Sequence, residues 1–232
     1  MFQRIVFSAV PAGVAAGLLI TLIQYFTVIP IILEAETYES SALAADHTGS
    51  ADTAHGHEAV THIHDHDGWS PDDGIERTLY TALSNSLAAI GFALLLGAGF
   101  AIFNHADWRG GLLWGLGGFA AFQLAPAVGL PPELPGTAAA QLEFRQVWWV
   151  ATAVATLGGL GALVFARHAA LRLLGAILII VPHIVGAPHP ASHSSSVPPE
   201  LAAEFATRTL LVGCVFWVAL GGLTGLAYSK LK

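Results

Sequence analysis

Residues 5–33 contain no Asp, Glu, Lys, Arg or His. A helix needs about 20 consecutive apolar residues to cross the hydrocarbon of a bilayer, so this run is long enough to span one. A soluble domain could not hide it. The rest of the chain agrees: 54% of its 232 residues are hydrophobic and only 11% are charged, a balance outside that of soluble globular domains. Arg4 precedes the run as in a secretory signal. Signal cores, however, are about 7–15 residues long, and no small-x-small cleavage pattern directly follows this one, so an uncleaved helix is expected.

Windows of about 19 residues mark apolar segments near 5–33, 78–103, 110–130, 147–166, 170–187 and 207–228. They predict an all-α, polytopic membrane helix bundle of six transmembrane helices, forming one integral membrane domain over residues 1–232. The fifth segment is the weakest, because Arg172 lies near its start and Pro182-His183 interrupt its end; if it only dips into the bilayer, five spans remain. Arg4, Arg109, Arg167, Arg172, Lys230 and Lys232 fall on one side of this topology, against Arg77, Arg145 and Arg208 on the other. The excess of basic residues on the first side predicts cytoplasmic N and C termini in the inner (plasma) membrane.

The spans read as three helical hairpins. Pro131-Pro132-Glu133-Leu134 recurs as Pro198-Pro199-Glu200-Leu201, which suits either duplication or the gathering of Pro at membrane interfaces. Gly13-x-x-x-Gly17, Gly111-x-x-x-Gly115 and Gly221-x-x-x-Gly225 are packing signals that let helix backbones approach closely. Gln24 and Gln123, deep within spans, are expected to hydrogen-bond between helices rather than to bind a ligand.

Net charge is -7, but the acidity is local: eleven of the 16 carboxylates lie within residues 34–76, where no Lys or Arg precedes the end of the segment. No basic footprint for nucleic acid exists. Cys214 is the one cysteine and Met1 the one methionine, which excludes Cys-based zinc or iron-sulfur sites and disfavours Cu(I) handling. Gly-x-Ser-x-Gly and phosphate-loop motifs are absent, and His57-Glu58-x-x-x-His62 has the wrong spacing for a zinc-protease box,. Nor do the histidines sit at His-x-x-x-His spacing near cytoplasmic helix ends, as a membrane di-iron oxygenase would require. These readings point away from an enzyme and toward no prosthetic group.

The chemistry concentrates in residues 40–74, read as a flexible external loop rich in His and Asp. His47, His55, His57, His62, His64 and His66 fall within it, with Asp65 and Asp67 beside them. In an extended chain, His62, His64 and His66 project to one side. Imidazole with carboxylate suits borderline divalent ions such as Co2+, Ni2+, Zn2+ or Cu2+. A solvated loop with incidental histidines is the plainer alternative. Glu34, Glu36 and Glu39 follow Pro30; Glu34 or Glu36 can line a pore mouth, a solvated cap being the plainer alternative. His183, next to Pro182 within an apolar segment, is costly there unless it faces water, a partner or a substrate; His189 and His193 follow it.

Ile32-Leu33-Glu34-Ala35-Glu36-Thr37-Tyr38-Glu39, the His-Asp loop, Glu76-Arg77-Thr78-Leu79-Tyr80-Thr81, Arg145-Gln146-x-Trp148-Trp149 and Pro182-His183-Ile184-Val185-Gly186-Ala187-Pro188 together resemble the CbtA family of predicted cobalt transporter subunits. The likeness covers nearly the whole chain. It implies uptake of Co2+ for cobalamin-using cells beside a small, single-span, His-bearing companion called CbtB, which would be a separate polypeptide. The expected function is a permease subunit whose loop captures a divalent ion and passes it to Glu34, Glu36 and His183. A membrane-anchored sensor or metal store without flux, or a Ni2+ or Zn2+ transporter, is the alternative.

Overall fold

The computed structural model describes residues 1–49, 71–103, 107–190 and 195–231, with the side chains of 42–49 outside the description. The described chain is helical: α1 (Phe2–Thr27), α2 (Ile29–Gly49), α3 (Ile75–Phe103), α4 (Trp108–Phe119) running through a π turn (Ala120–Leu124) into α5 (Ala125–Gly129), α6 (Leu142–Phe165), α7 (Ala169–Val185) and α8 (Pro199–Lys230). Among the described residues, five continuous helical stretches are long and apolar enough to cross a bilayer: Phe2–Thr27, Ile75–Phe103, Trp108–Gly129, Leu142–Phe165 and Pro199–Lys230. The protein is a polytopic helical bundle of the expected class.

The fifth predicted span is helix α7, which has 17 residues. At 1.5 Å per residue it reaches about 26 Å, short of the roughly 30 Å hydrocarbon core. Gly186, at φ 86°, ends it. The first predicted span also differs from its sequence reading: it is two helices, parted at Val28, and the second continues to Gly49. Residues 40–49 of the segment read as a loop are therefore helical, as their Ala- and Leu-containing sequence favours.

Reciprocal glycine contacts define the frame. A Cβ on Gly13 would lie 2.6 Å from Ile90 Cα, and one on Gly17 2.5 Å from Ser86 Cα, so α1 and α3 run antiparallel with backbones nearly touching. The other two glycine motifs face each other. A Cβ on Gly221 would overlap the Gly111 carbonyl and lie 2.8 Å from Gly115 Cα, and one on Gly225 would lie 3.0 Å from Gly111 Cα. Helix α4 therefore packs most closely on α8, and α6 on α7 through Gly159 and Gly175, so the first sequence hairpin, α1 with α3, is kept while these contacts cut across the other two. The antiparallel pairs put residues 28–49, 71–74, 130–141, 186–190 and 195–198 at one end of the bundle, here the loop end. Both termini lie at the other, where the Arg4 guanidinium donates to the Tyr228 carbonyl (2.9 Å) and sits over its ring.

The apolar interior divides along the bundle axis. Toward the termini, Ala89, Ala93, Leu96, Phe100, Trp217, Leu220 and Tyr228 form one buried cluster. Toward the loop end, Ile31, Val28 and Ala35 pack with Leu134, Val197, Leu201 and Phe205. This second cluster seats α2 on the two Pro-Pro-Glu-Leu segments, whose leucines, Leu134 and Leu201, are both buried. The connecting segments also meet through an isolated antiparallel bridge between Thr137 and Ser195, with Ser196 N–H donating to the Gly136 carbonyl (3.3 Å).

Gly221→Ala should lower stability by about 1–3 kcal/mol or more, because its methyl meets backbone that no rotamer change can move. Gly117→Ala, where a Cβ would meet nothing within 4 Å, should be neutral or slightly stabilising. Thermal unfolding of the two purified variants in the same detergent checks this; equal melting temperatures would contradict backbone contact at Gly221.

Candidate functional site

The site begins with the break in the first span. Pro30 has no N–H to give the Phe26 carbonyl, and its ring crowds that turn, so the helix cannot continue through it. Ile31 N–H and Ile32 N–H both turn to the Val28 carbonyl (3.1 and 3.2 Å). The Thr27 carbonyl, freed by the break, accepts from Arg208 Nη1 of α8 (3.0 Å), and Arg208 is itself paired with Glu204. A carbonyl exposed at membrane depth is tolerable only with such a partner.

Just inside the break, a cavity of about 340 Å3 lies between α1, α3, the π turn and α8, with Trp149 of α6 at its side. Among the described residues, Gln24, Asn85, Gln123 and Thr209 are its polar lining, and no Asp, Glu, His or Cys lines it. Asn85 Nδ2 donates to Gln24 Oε1 (2.7 Å) and Thr21 Oγ1 (3.0 Å). Gln123 Nε2 reaches the Thr209 carbonyl at 3.4 Å, while the Thr209 hydroxyl is buried without a hydrogen-bond partner. Asn85 and Thr209 each lie ten residues into their helices, about 15 Å along the axis from the loop end.

The π turn explains how Gln123 comes to face this space. Pro126 follows it and cannot donate to the Phe122 carbonyl; widening the helix by one residue relieves that clash, and Ala125 N–H bonds back to the Ala120 carbonyl instead,. Phe122, in the same turn, stacks on Trp217 (centroids 5.5 Å apart, planes 3° apart) and touches Phe92 (5.2 Å). These rings bound the cavity toward the termini, where the packed cluster of Leu96, Phe100 and Leu220 follows.

A second cavity, of about 620 Å3, adjoins the first; Phe122, Gln123 and Trp149 line both. Its lining includes Pro131, Pro132 and the ion pair of Glu133 with Arg145 (2.6 Å). Gln123 thus stands between a space bordered by loop-end residues and an amide-lined space deeper in the bundle.

The sequence-selected residues are distributed differently. Glu34 and Glu39 are exposed on α2. Glu36 is held by Arg77, whose Nη2 and Nη1 reach its two oxygens at 2.6 and 3.3 Å while Nη1 also meets Asp73 (2.9 Å). This clamp ties α2 to the start of α3. His183, on the last turn of α7, is half-buried; its ring lies edge-on to Trp148 (centroids 6.1 Å), and its Nδ1 is buried without a partner. His189 is exposed in the segment after α7. The backbone of His47 lies in α2, whereas His55, His57, His62, His64, Asp65, His66, Asp67 and His193 lie outside the described residues. Among the described residues, no three His, Cys, Asp or Glu side chains converge on a common point, so Glu34, Glu36, Glu39, His183 and His189 are not gathered into one metal cage.

Of the cavity's polar groups, Gln24 and Gln123 are legible in the sequence, and both do make the expected contacts between helices. Asn85 and Thr209 are not singled out by it. A polar residue inside an apolar span is the signal that points to Asn85; Thr209 carries none, since threonine in a helix usually satisfies itself on its own backbone.

With this geometry in hand, residues 2–229 match the family described as "Probable cobalt transporter subunit (CbtA)". No curated protein and no solved structure shows significant similarity to the chain.

Replacing Asn85 by Leu removes two interhelical hydrogen bonds and should lower stability by about 1–2 kcal/mol. Asn85→Leu and Gln24→Leu should be non-additive in a double-mutant cycle. Additive losses would mean that the Asn85-Gln24 bond does not form in the membrane.

Proposed function

Because the chain belongs to the CbtA family of probable cobalt transporter subunits, we propose that it is the permease subunit of a Co2+ uptake system in the inner membrane, with both termini cytoplasmic and the loop end outside. The family match over nearly the whole chain carries this reading. The word subunit in the family's description supports a companion, and a small single-span, His-bearing chain like CbtB fits that part.

In this reading, the His-Asp segment catches a scarce divalent ion and raises its concentration at the loop end. His47, His55, His57, His62, His64 and His66, with Asp65 and Asp67, supply borderline ligands that prefer Co2+, Ni2+ or Zn2+ over Mg2+ or Ca2+. Capture must be weak and multidentate in turn, because an ion held too firmly never leaves. Glu34 and Glu39, exposed on α2, and His189 and His193 are the next oxygens and nitrogens offered. Glu36 takes part only if the ion displaces Arg77, and His183 has a ring nitrogen without a protein partner. Cobalt is cargo, and no prosthetic group is needed.

Full-length protein in liposomes, with its companion where required, tests the reading: Co2+ added outside should reach a metal-sensitive dye within. Binding without flux would instead make the protein a membrane-anchored sensor or store, and faster flux of Ni2+ or Zn2+ than of Co2+ would reassign the cargo. Replacing residues 50–70 by a short Gly-Ser linker should raise the concentration for half-maximal uptake more than it lowers the maximum; the opposite pattern would make the segment a gate. Imidazole binds metal only when neutral, so capture is intact above its ordinary pKa of about 6.5 and is lost as pH falls through it. A half-maximal concentration unchanged between the two sides of that value would remove the histidines from capture.

A further inference from the structure

We infer that the amide-lined cavity is where the ion crosses the middle of the bundle still carrying its water shell, with Gln123 as the polar group passed on the way in; this rests on the transport reading above. Among the described residues, the lining offers no carboxylate, imidazole or thiolate. A bare divalent ion there would have exchanged its waters for a few neutral oxygens in a low-dielectric surrounding, which leaves most of its desolvation penalty uncompensated. A hydrated ion asks for something else. Its coordinated waters are hydrogen-bond donors, and they need neutral acceptors at a looser distance.

The cavity provides that type of group and enough room. Six water molecules at about 30 Å3 each occupy about 180 Å3, which fits within the 340 Å3 available. Asn85 spends its N–H groups on Gln24 and Thr21, so its carbonyl oxygen remains for water. Gln123 spends an N–H on the Thr209 carbonyl and likewise keeps its amide oxygen. Thr209 adds a hydroxyl that no protein group satisfies. The three arginines near this end of the bundle do not oppose a cation, since Arg77 is neutralised by Glu36 and Asp73, Arg145 by Glu133 and Arg208 by Glu204. Gln123 lines both cavities, so an ion moving between them passes its amide. Selection among metals then belongs to the His-rich segment, where waters are exchanged for ligands, and the deeper site discriminates by size and charge.

Two measurements on the full-length protein in liposomes test this. Gln123→Met keeps the length and flexibility of the side chain while removing its polar atoms, and the one bond it loses is long. It should therefore melt close to wild type yet carry Co2+ about fivefold more slowly, the factor corresponding to one lost hydrogen bond of ordinary strength. The exchange-inert hexaamminecobalt(III) ion, similar in size to a hexahydrated ion and unable to take protein ligands, should inhibit Co2+ entry through the wild-type protein. Wild-type flux in Gln123→Met, or no inhibition by the hexaammine ion in large excess, overturns the inference while leaving the transport reading intact. Absence of flux in the wild type sinks the transport reading itself.

Discussion

Helices in hydrocarbon gain nothing from burying apolar surface against one another, because lipid is equally apolar. The bundle depends instead on how closely backbones can approach, and this chain secures that approach at the facing glycines of α4 and α8 and at the α1-α3 contact. At Gly111, Gly115, Gly221 and Gly225 the space for a Cβ is filled by the partner's backbone. Attraction between atoms this near is collectively large although each pair contributes little. The remaining architecture hangs on these seams: α1 and α8 share the terminal contact of Arg4 with Tyr228, while α6 and α7 pack beside them through their own glycine pair.

The same solvent makes every irregularity in the backbone conspicuous. A carbonyl without a donor is expensive in lipid, yet Pro30 and Pro126 each create one. The chain answers them differently. At Pro30 the helix stops, and Arg208 supplies the donor from a distant part of the sequence. At Pro126 the helix widens into a π turn and re-forms its own bonds. Both irregularities border the cavity, which is where non-helical backbone is tolerated in membrane proteins: against protein or a polar space, not against lipid.

In the transport reading proposed above, the ligand types divide the labour. Residues able to bind a borderline metal directly gather in the sequence around the loop end, whereas the cavity within the bundle offers neutral amides and a hydroxyl. Strong ligands suit the capture of a scarce ion; weak ones suit its passage. The Glu36-Arg77-Asp73 cluster shows that not every carboxylate near the loop end is free for metal, since Glu36 holds α2 to α3.

The sequence by itself determined the class of fold, the position of the spans after the first, the weakness of the fifth and the three glycine motifs, because the bilayer imposes length and apolarity on each segment separately and those are read along the chain. It also placed Gln24 and Gln123 as contacts between helices. Tertiary structure alone decided which motif meets which. Gly111 faces Gly221 across α8, not the next helix in its hairpin, and Arg208 reaches the Thr27 carbonyl from 181 residues away. Asn85, Thr209 and the π turn gain meaning only where four helices converge, since a polar side chain in a span reads the same in sequence whether it meets lipid, a neighbour or a cavity.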